Sequence, residues 1–270
     1  MSRTSKLKYL QTGFSIIELM ISLVLGLLLM TGVIQVFLSS RQTYATNEAI
    51  ARQQENGRFA LEFIARSARM AGYTEANYSQ EKGLPIPINC LNWSDNNCKS
   101  TLLGSAPSSM LTTEAGGNAS DSIGFVLQPQ LIDGVRRDCT GRPIDDTELV
   151  INHFKIMGDS LGCSSYKLSG AAPKEKTFTP LVEGIDSLQI LYGEDFGNDE
   201  SANSYVSADR VTDWNRVRSI RIAVLANSVN PVLPAPPARN FVLLDAPPLA
   251  YADGLARQIF TTTIQLKNTD

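Results

Sequence analysis

The chain has 270 residues, 43% of them apolar and 19% charged, with a net charge of −3. That is enough for one or two domains with real cores, and it excludes a disordered or collagen-like chain. Arg3, Lys6 and Lys8 fall in the first 13 residues with no acid among them. The remainder is therefore acidic, at about −6, which argues against a nucleic-acid surface.

A basic leader is followed by "GFSIIELM" and then by Leu19 to Leu38, 20 residues without a charge. A helix rises about 1.5 Å per residue, so this run spans about 30 Å, the thickness of a bilayer's hydrocarbon layer. A secretory signal has a shorter apolar run and a small-residue cleavage site. The cations precede the run, so the amino terminus stays in the cytoplasm and the bulk of the chain is exported. Glu18 is the anomaly, because a carboxylate in lipid costs about 2.5–3.5 kcal/mol on insertion scales and calls for a partner. If the chain is cut after Gly13, Phe14 becomes the first residue and carries a new ammonium, one helical turn from Glu18. Glu18 is then placed to meet that amine, or the amine of a neighbouring subunit, and it also lies in the first turn, where the helix dipole favours an acid.

Residues 39–71 continue the helical pattern, with no Pro and one Gly. Ile50, Gly57, Leu61, Ile64, Ala68 and Ala71 form an amphipathic stripe, with most of the charges off it. Phe59 and Phe63 read as contacts to a domain, and Gly72 as the cap that ends the helix. The expected segments are a leader over 1–13, a membrane and assembly helix over 14–38, its amphipathic continuation over 39–72, and a β-rich exported domain over 73–270.

Residues 73–120 are rich in Asn, Ser, Gly and Pro and read as irregular surface structure. Cys90, Cys98, Cys139 and Cys163 are the four cysteines. Export favours two disulfides, and of the three pairings allowed the local closures Cys90–Cys98 and Cys139–Cys163 are preferred. No C-x-x-C occurs and the sole histidine, His153, is ten residues from Cys163, so a zinc site is not expected.

Strand-like runs follow at 122–128, 148–156, 164–170, 185–193, 217–227 and 257–268, separated by turn clusters. They predict an α+β protein in which the long helix packs on an antiparallel sheet. Six of the 13 prolines lie between 231 and 248, too long a stretch for a tight turn. It reads as an ordered excursion or a flexible loop.

Two stretches imitate chemistry. "GDSLG", residues 158–162, fits G-x-S-x-G, but His153 precedes Ser160, whereas nucleophile-elbow hydrolases place the histidine after the serine. A turn is expected there and no enzyme activity. "YGEDFGNDE" gathers Glu194, Asp195, Asn198, Asp199 and Glu200, oxygen donors of the kind that hold calcium, but without the EF-hand pattern. A solvated acidic turn is expected, and no metal or cofactor.

The stretch from Gly13 to Met20 resembles the prepilin cleavage and N-methylation motif, in which a leader ends at Gly, Phe becomes the methylated first residue and Glu is fifth. The blocks at 182–195, 213–228 and 253–268 look like the downstream part of PilW-type minor pilins, and are also similar to the J-type pseudopilin of type II secretion. The resemblance covers residues 1–75 and 182–268. It implies cleavage after Gly13 and methylation of Phe14 by prepilin peptidase, with Glu18 serving assembly. It also implies a role in priming or tipping a type IV pilus, with the major pilin and other minor pilins as partners. The inner membrane is then the site before assembly, and the cell-surface pilus the site after it.

Overall fold

The computed structural model describes Gly13 and residues 15–75, 119–146, 148–167 and 178–268. The Cys90–Cys98 closure, Phe14 and most of the irregular stretch before residue 120 lie outside the described residues. The chain divides into two compact units, residues 1–47 and 48–270.

One helix, α1 (Ile16–Met70), serves both units. In the first unit no described residue covers it, and its large apolar side chains from Ile16 to Leu38 leave 48–81% of their surface open. Gly26 and Gly32 do not interrupt it. The hydroxyl of Thr31 donates to the Leu27 carbonyl at 2.8 Å. A polar side chain satisfied inside its own helix is tolerated in hydrocarbon.

In the second unit α1 buries Ala49, Gln53, Gly57, Ala60, Ile64, Ser67 and Ala68, followed by Ala71 just past its end. This face is one position off the predicted stripe at two places: Ile50 and Leu61 are only half-buried. Small residues win the central positions because a sheet has to come close. The expectation for the phenylalanines is corrected in part: Phe59 and Phe63 stay 50% and 42% exposed and neither joins the buried core, though Phe63 borders a cleft shared with Leu127 and Phe154 of the domain. Gly72 does end the helix, with φ of 75°, and the Asn268 amide donates to the Ala71 carbonyl at 3.0 Å.

The strands after the helix are β1 (Ile123–Leu127), β2 (Leu131–Ile132), β3 (Val135–Arg137), β4 (Pro143–Ile144), β5 (Val150–Met157), β6 (Ser160–Lys167) and β7 (Thr179–Glu183). Then come β8 (Ile185–Glu194), β9 (Ser204–Val206), β10 (Val217–Asn227), β11 (Arg239–Phe241), β12 (Leu249–Tyr251) and β13 (Arg257–Gln265). Eight of them form two four-stranded antiparallel sheets, ordered β1-β5-β6-β7 and β13-β10-β8-β9, and the rest a small β2-β3-β4 sheet and a β11-β12 pair, where one sheet was expected. A single core joins the two larger sheets, with Ala60, Ile64 and Ala68 of the helix meeting Phe125, Phe154, Leu188, Ile222 and Val224. Long apolar side chains from the strands fill the space that the small helix residues leave.

The Pro-rich excursion is ordered. It carries the β11–β12 hairpin and lays Leu243 and Leu249 against Ala223 and Leu225 of β10. Strand β10 is thus covered on both faces over residues 222–226, which is why that part of its run, Ile-Ala-Val-Leu-Ala, is continuously apolar. β6 starts at Ser160, earlier than the expected 164, and its hairpin with β5 turns on Gly158 and Asp159 alone, Met157 pairing with Ser160. Gly158 holds φ of 68°, and glycine is the residue that takes this first turn position freely. β13 ends at Gln265, three residues short of the expected 268.

Candidate functional site

The amino-terminal segment holds the first set of candidate residues. The Ser15 carbonyl accepts from the backbone N–H groups of both Glu18 and Leu19 at 3.1 Å, so the helix is closed by its first turn and Glu18 sits in it. A side chain built on Gly13 would meet no atom within 4 Å. Among the described residues nothing demands glycine there. The same holds for Gly26 and Gly32. Helix α1 passes the length and composition test for a membrane span, with a mean hydropathy of 2.4 over its best window.

In the second unit, two stretches imitate chemistry. Ser160 pairs with Met157 at the turn, while His153 pairs with Ser164 further along the β5–β6 ladder. Residues rise about 3.3 Å apiece along a strand, so four positions separate them by about 13 Å, too far for a proton transfer. The Ser160 hydroxyl donates instead to the adjacent Asp159 carboxylate at 3.1 Å. His153 is buried against Tyr166, with ring centroids 6.3 Å apart.

The acidic loop after β8 is built from carboxylates turned onto the backbone. Asp195 is buried and accepts from the N–H groups of Gly197 and Glu200, each at 2.9 Å. Burial pushes its carboxyl up, but backbone donors at Glu200, Asp199, Gly197 and Asn198 outweigh that and hold it below the usual carboxylate range. Glu194 accepts from the Thr212 hydroxyl at 2.7 Å and from the Thr212 and Asp213 N–H groups at 3.0 Å. The expected solvated turn is thus corrected in part: Glu194 and Asp195 are buried and bound to neighbouring backbone, while Asn198, Asp199 and Glu200 are exposed. Among the described residues no group of three His, Cys, Asp or Glu is arranged to hold a metal.

Two arginine clusters were not foreseen. Arg136 on β3 is buried and reaches Glu75 at 2.6 Å, Asp146 at 3.2 Å and the Pro129 carbonyl at 2.6 Å. Burial disfavours its charge, but the two carboxylates more than compensate and raise its pKa. It fixes the small β2-β3-β4 sheet beside the end of the helix. Arg257, at the start of β13, donates to Asp186 at 2.6 Å and to both oxygens of Asp253 at 2.6 Å, with its guanidinium over the Tyr251 ring. The hydrogen bonds from Arg257 hold the Asp253 carboxyl at about 2, against an ordinary value of 3.8. The sequence sign was Asp253 four residues before Arg257, a pair that means little without knowing that Asp186 lies opposite.

The Cys139–Cys163 disulfide is present and closes a separation of 24 residues. It ties the loop after β3 to the middle of β6. Next to it, Phe63, Met70, Ile132, Val135 and Phe154 help line a cleft of about 440 Å3 between the helix and the small sheet.

Residues 9–34 match the prokaryotic N-terminal methylation motif, and residues 152–268 match the type IV pilus-assembly protein W family. No curated protein matches the chain. Among solved structures, a type IV-like pilin from Thermus thermophilus is 14% identical and overlays 80% of this chain and 98% of its own, with a TM-score of 0.48. A chain of the GspK–GspI–GspJ complex from the type 2 secretion system of enterotoxigenic Escherichia coli is 10% identical, over 77% of this chain and 96% of that one, with a TM-score of 0.29.

Proposed function

From a chain that carries the PilW domain and the N-terminal methylation motif, and so belongs with the PilW-type minor pilins of type IV pilus assembly, we propose how its residues serve that assembly. Prepilin peptidase removes residues 1–13, cutting after Gly13, and methylates the new amine of Phe14. A methylated amine keeps its charge, so it still pairs with Glu18. Before assembly, the uncovered helix from Leu19 to Leu38 lies in the inner membrane and the β-rich unit in the periplasm. In the filament, the same apolar surface packs against the helices of the major pilin and other minor pilins. The Glu18–amine pair sets their axial register.

One observation carries this reading: an uncovered, uncharged stretch of helix whose only acid sits in the first turn, where a cut after Gly13 would create a cation. Two irregular antiparallel sheets and a long ordered excursion make the exported part bulky for a repeating shaft subunit. That supports a place in the complex that primes the filament or in its tip. The PilW match across the downstream strands favours the pilus over a secretion pseudopilus.

The test is intact-mass analysis of the membrane-inserted chain. The wild type should begin at N-methylated Phe14, and Gly13→Asp should retain the leader. Normal processing of the Gly13→Asp chain overturns the cleavage assignment.

A further inference from the structure

Backbone groups along β13 are left open in a way that no other sheet edge among the described residues shares. Strand β13 is the terminal strand of its sheet. The N–H of Leu266 donates to the Arg218 carbonyl, and at the other end the N–H of Ser228 donates to the Ala256 carbonyl. Both bonds fit the register that pairs Ser219 with Gln265 and Asn227 with Arg257 without a break. In an antiparallel ladder hydrogen-bonded positions alternate. The even-numbered residues of β13 therefore face β10, and Ile259, Thr261, Thr263 and Gln265 aim their N–H and C=O groups away from the sheet. None of these outward groups has a backbone partner among the described residues.

Edges are ordinarily blunted by shortness, proline, charge or a covering segment. The other described edges follow that rule. β1 is capped by the chain after the helix, with Gly72 N–H on the Val126 carbonyl at 2.7 Å and Gln128 N–H on the Tyr73 carbonyl at 2.9 Å. β7 has Pro180 within its five residues, and β9 has only three. β13 has nine residues, no proline or bulge, and no charge after Arg257.

A groove of about 320 Å3 runs between this edge and the helix, lined by Arg58, Glu62 and Arg69 on one side and Phe260 to Thr262 on the other. Glu62 is bridged by Arg69 at 3.3 Å, and Arg58 has no ion pair among the described residues. The groove is thus locally cationic in a chain whose net charge is −3.

We propose that β13 is a docking edge, which an extended segment of a different subunit joins as a fifth, antiparallel or parallel strand, with a carboxylate facing Arg58. The inference rests on the minor-pilin reading and gives that reading a specific contact. The occupant is not a second copy, because two-fold pairing across β13 would bring both copies' Arg58 and Arg69 together. Main-chain bonds to the four outward residues give affinity, and the acid gives the choice of partner.

The experiment counts surface filaments in cells expressing the full chain. Thr261→Pro removes only an outward N–H, which an edge strand tolerates, and Arg58→Glu reverses the groove's free cation on an exposed helix face. Both chains should accumulate and be processed as the wild type is, while filaments fall at least ten-fold; Arg58→Lys should restore them. A photo-crosslinking residue at Thr263 should give an adduct with a different polypeptide, lost in Thr261→Pro. Wild-type filament numbers with both variants overturn the proposal, as does the absence of an adduct or an adduct with a second copy. If Thr261→Pro accumulates poorly, Arg58→Glu and the crosslink decide. If deletion of the whole chain leaves filaments intact, it is the minor-pilin reading that fails, not the edge.

Discussion

Arg257→Ala should unfasten the excursion over 228–256 from the sheet that it covers. The guanidinium is 3% exposed and bridges Asp186, 14% exposed, and Asp253, 46% exposed. Breaking a buried pair by removing one partner costs about 3–5 kcal/mol, because the other charge is stranded. Here the lower end applies. Asp253 can return to water, so its share is discounted to that of a surface pair, about 0–1 kcal/mol. Asp186 keeps a donor, the Asn227 amide at 2.8 Å. About 3 kcal/mol is expected, a large fraction of a typical domain's stability. For a unit of this size that is a fall in Tm of about 6–12 °C. Denaturant titration of the detergent-solubilised full chain measures the loss, and limited proteolysis should show new cuts confined to 228–256. A loss under about 1 kcal/mol would refute the claim that one guanidinium organises this corner.

The same cluster gives a pH signature. The folded carboxyl of Asp253 sits at about 2, below its ordinary 3.8. A depressed acid adds stability that is complete above its unfolded value and disappears as pH falls through its folded one. Wild-type stability should therefore decline between about pH 4 and pH 2, and Arg257→Ala should make that decline shallower. An unchanged slope would mean that Arg257 is not what holds Asp253 ionised.

Two further substitutions test the packing. Alanine is a better helix former than glycine by about 1 kcal/mol, yet Gly57→Ala should destabilise, because its Cβ would lie 2.9 Å from Cγ of Phe260 and closer still to the ring edge. Overpacking costs about 1–3 kcal/mol, and a Gly57→Ala/Phe260→Leu double variant should recover part of it in chemical denaturation. The Cys139→Ala/Cys163→Ala pair should lose about 3 kcal/mol, the loop-closure entropy of a link of this length, measured as the shift in denaturation midpoint under non-reducing conditions.

Six strands, the long helix and its terminal glycine were legible because each depends on local pattern: apolar periodicity, β-branched runs, or a φ that glycine takes most readily. The Asp133–Gly134 turn between β2 and β3 was equally legible and was passed over. Both residues hold positive φ, 50° and 75°, and Asp-Gly between "LI" and "VRR" is a strong hairpin signal. Gln53 was hidden for a different reason. It lies on the buried face of the helix because its amide reaches the Ala226 carbonyl at 3.0 Å, and no hydrophobic stripe can announce a polar residue whose partner is 173 positions away. Phe59 and Phe63 misled by the converse logic. Large aromatics suggest core, but the sheets approach so closely that small residues fill most of the contact line, leaving Phe63 at the rim of a cleft and Phe59 half exposed. The arginine clusters share this non-local character in part, since Glu75 lies 61 positions from Arg136 and Asp186 lies 71 from Arg257, while Asp253 is a local partner.

Glu18 is where charge and packing are most easily confused, and a pair of substitutions separates them. Glu18→Ala removes bulk and charge together; Glu18→Gln keeps the shape and removes only the charge. If the carboxylate serves merely to mark the membrane boundary, Gln should incorporate into filaments as well as Glu, and both variants should insert more readily, because the neutral side chain sheds part of an insertion penalty that reaches about 2.5–3.5 kcal/mol only at the helix centre. If it pairs with the Phe14 amine, the two neutral variants should behave alike. Processing stays normal and the chain accumulates in the membrane, yet its share in sheared filaments drops by an order of magnitude, because a cation is left unpaired among packed helices. Glu18→Asp retains the charge but shortens the reach by one methylene, and should fall between the wild type and the neutral variants. Quantifying each chain in membranes and in sheared filaments distinguishes the cases, and equal incorporation of Glu18→Gln and wild type would remove the electrostatic register from the account.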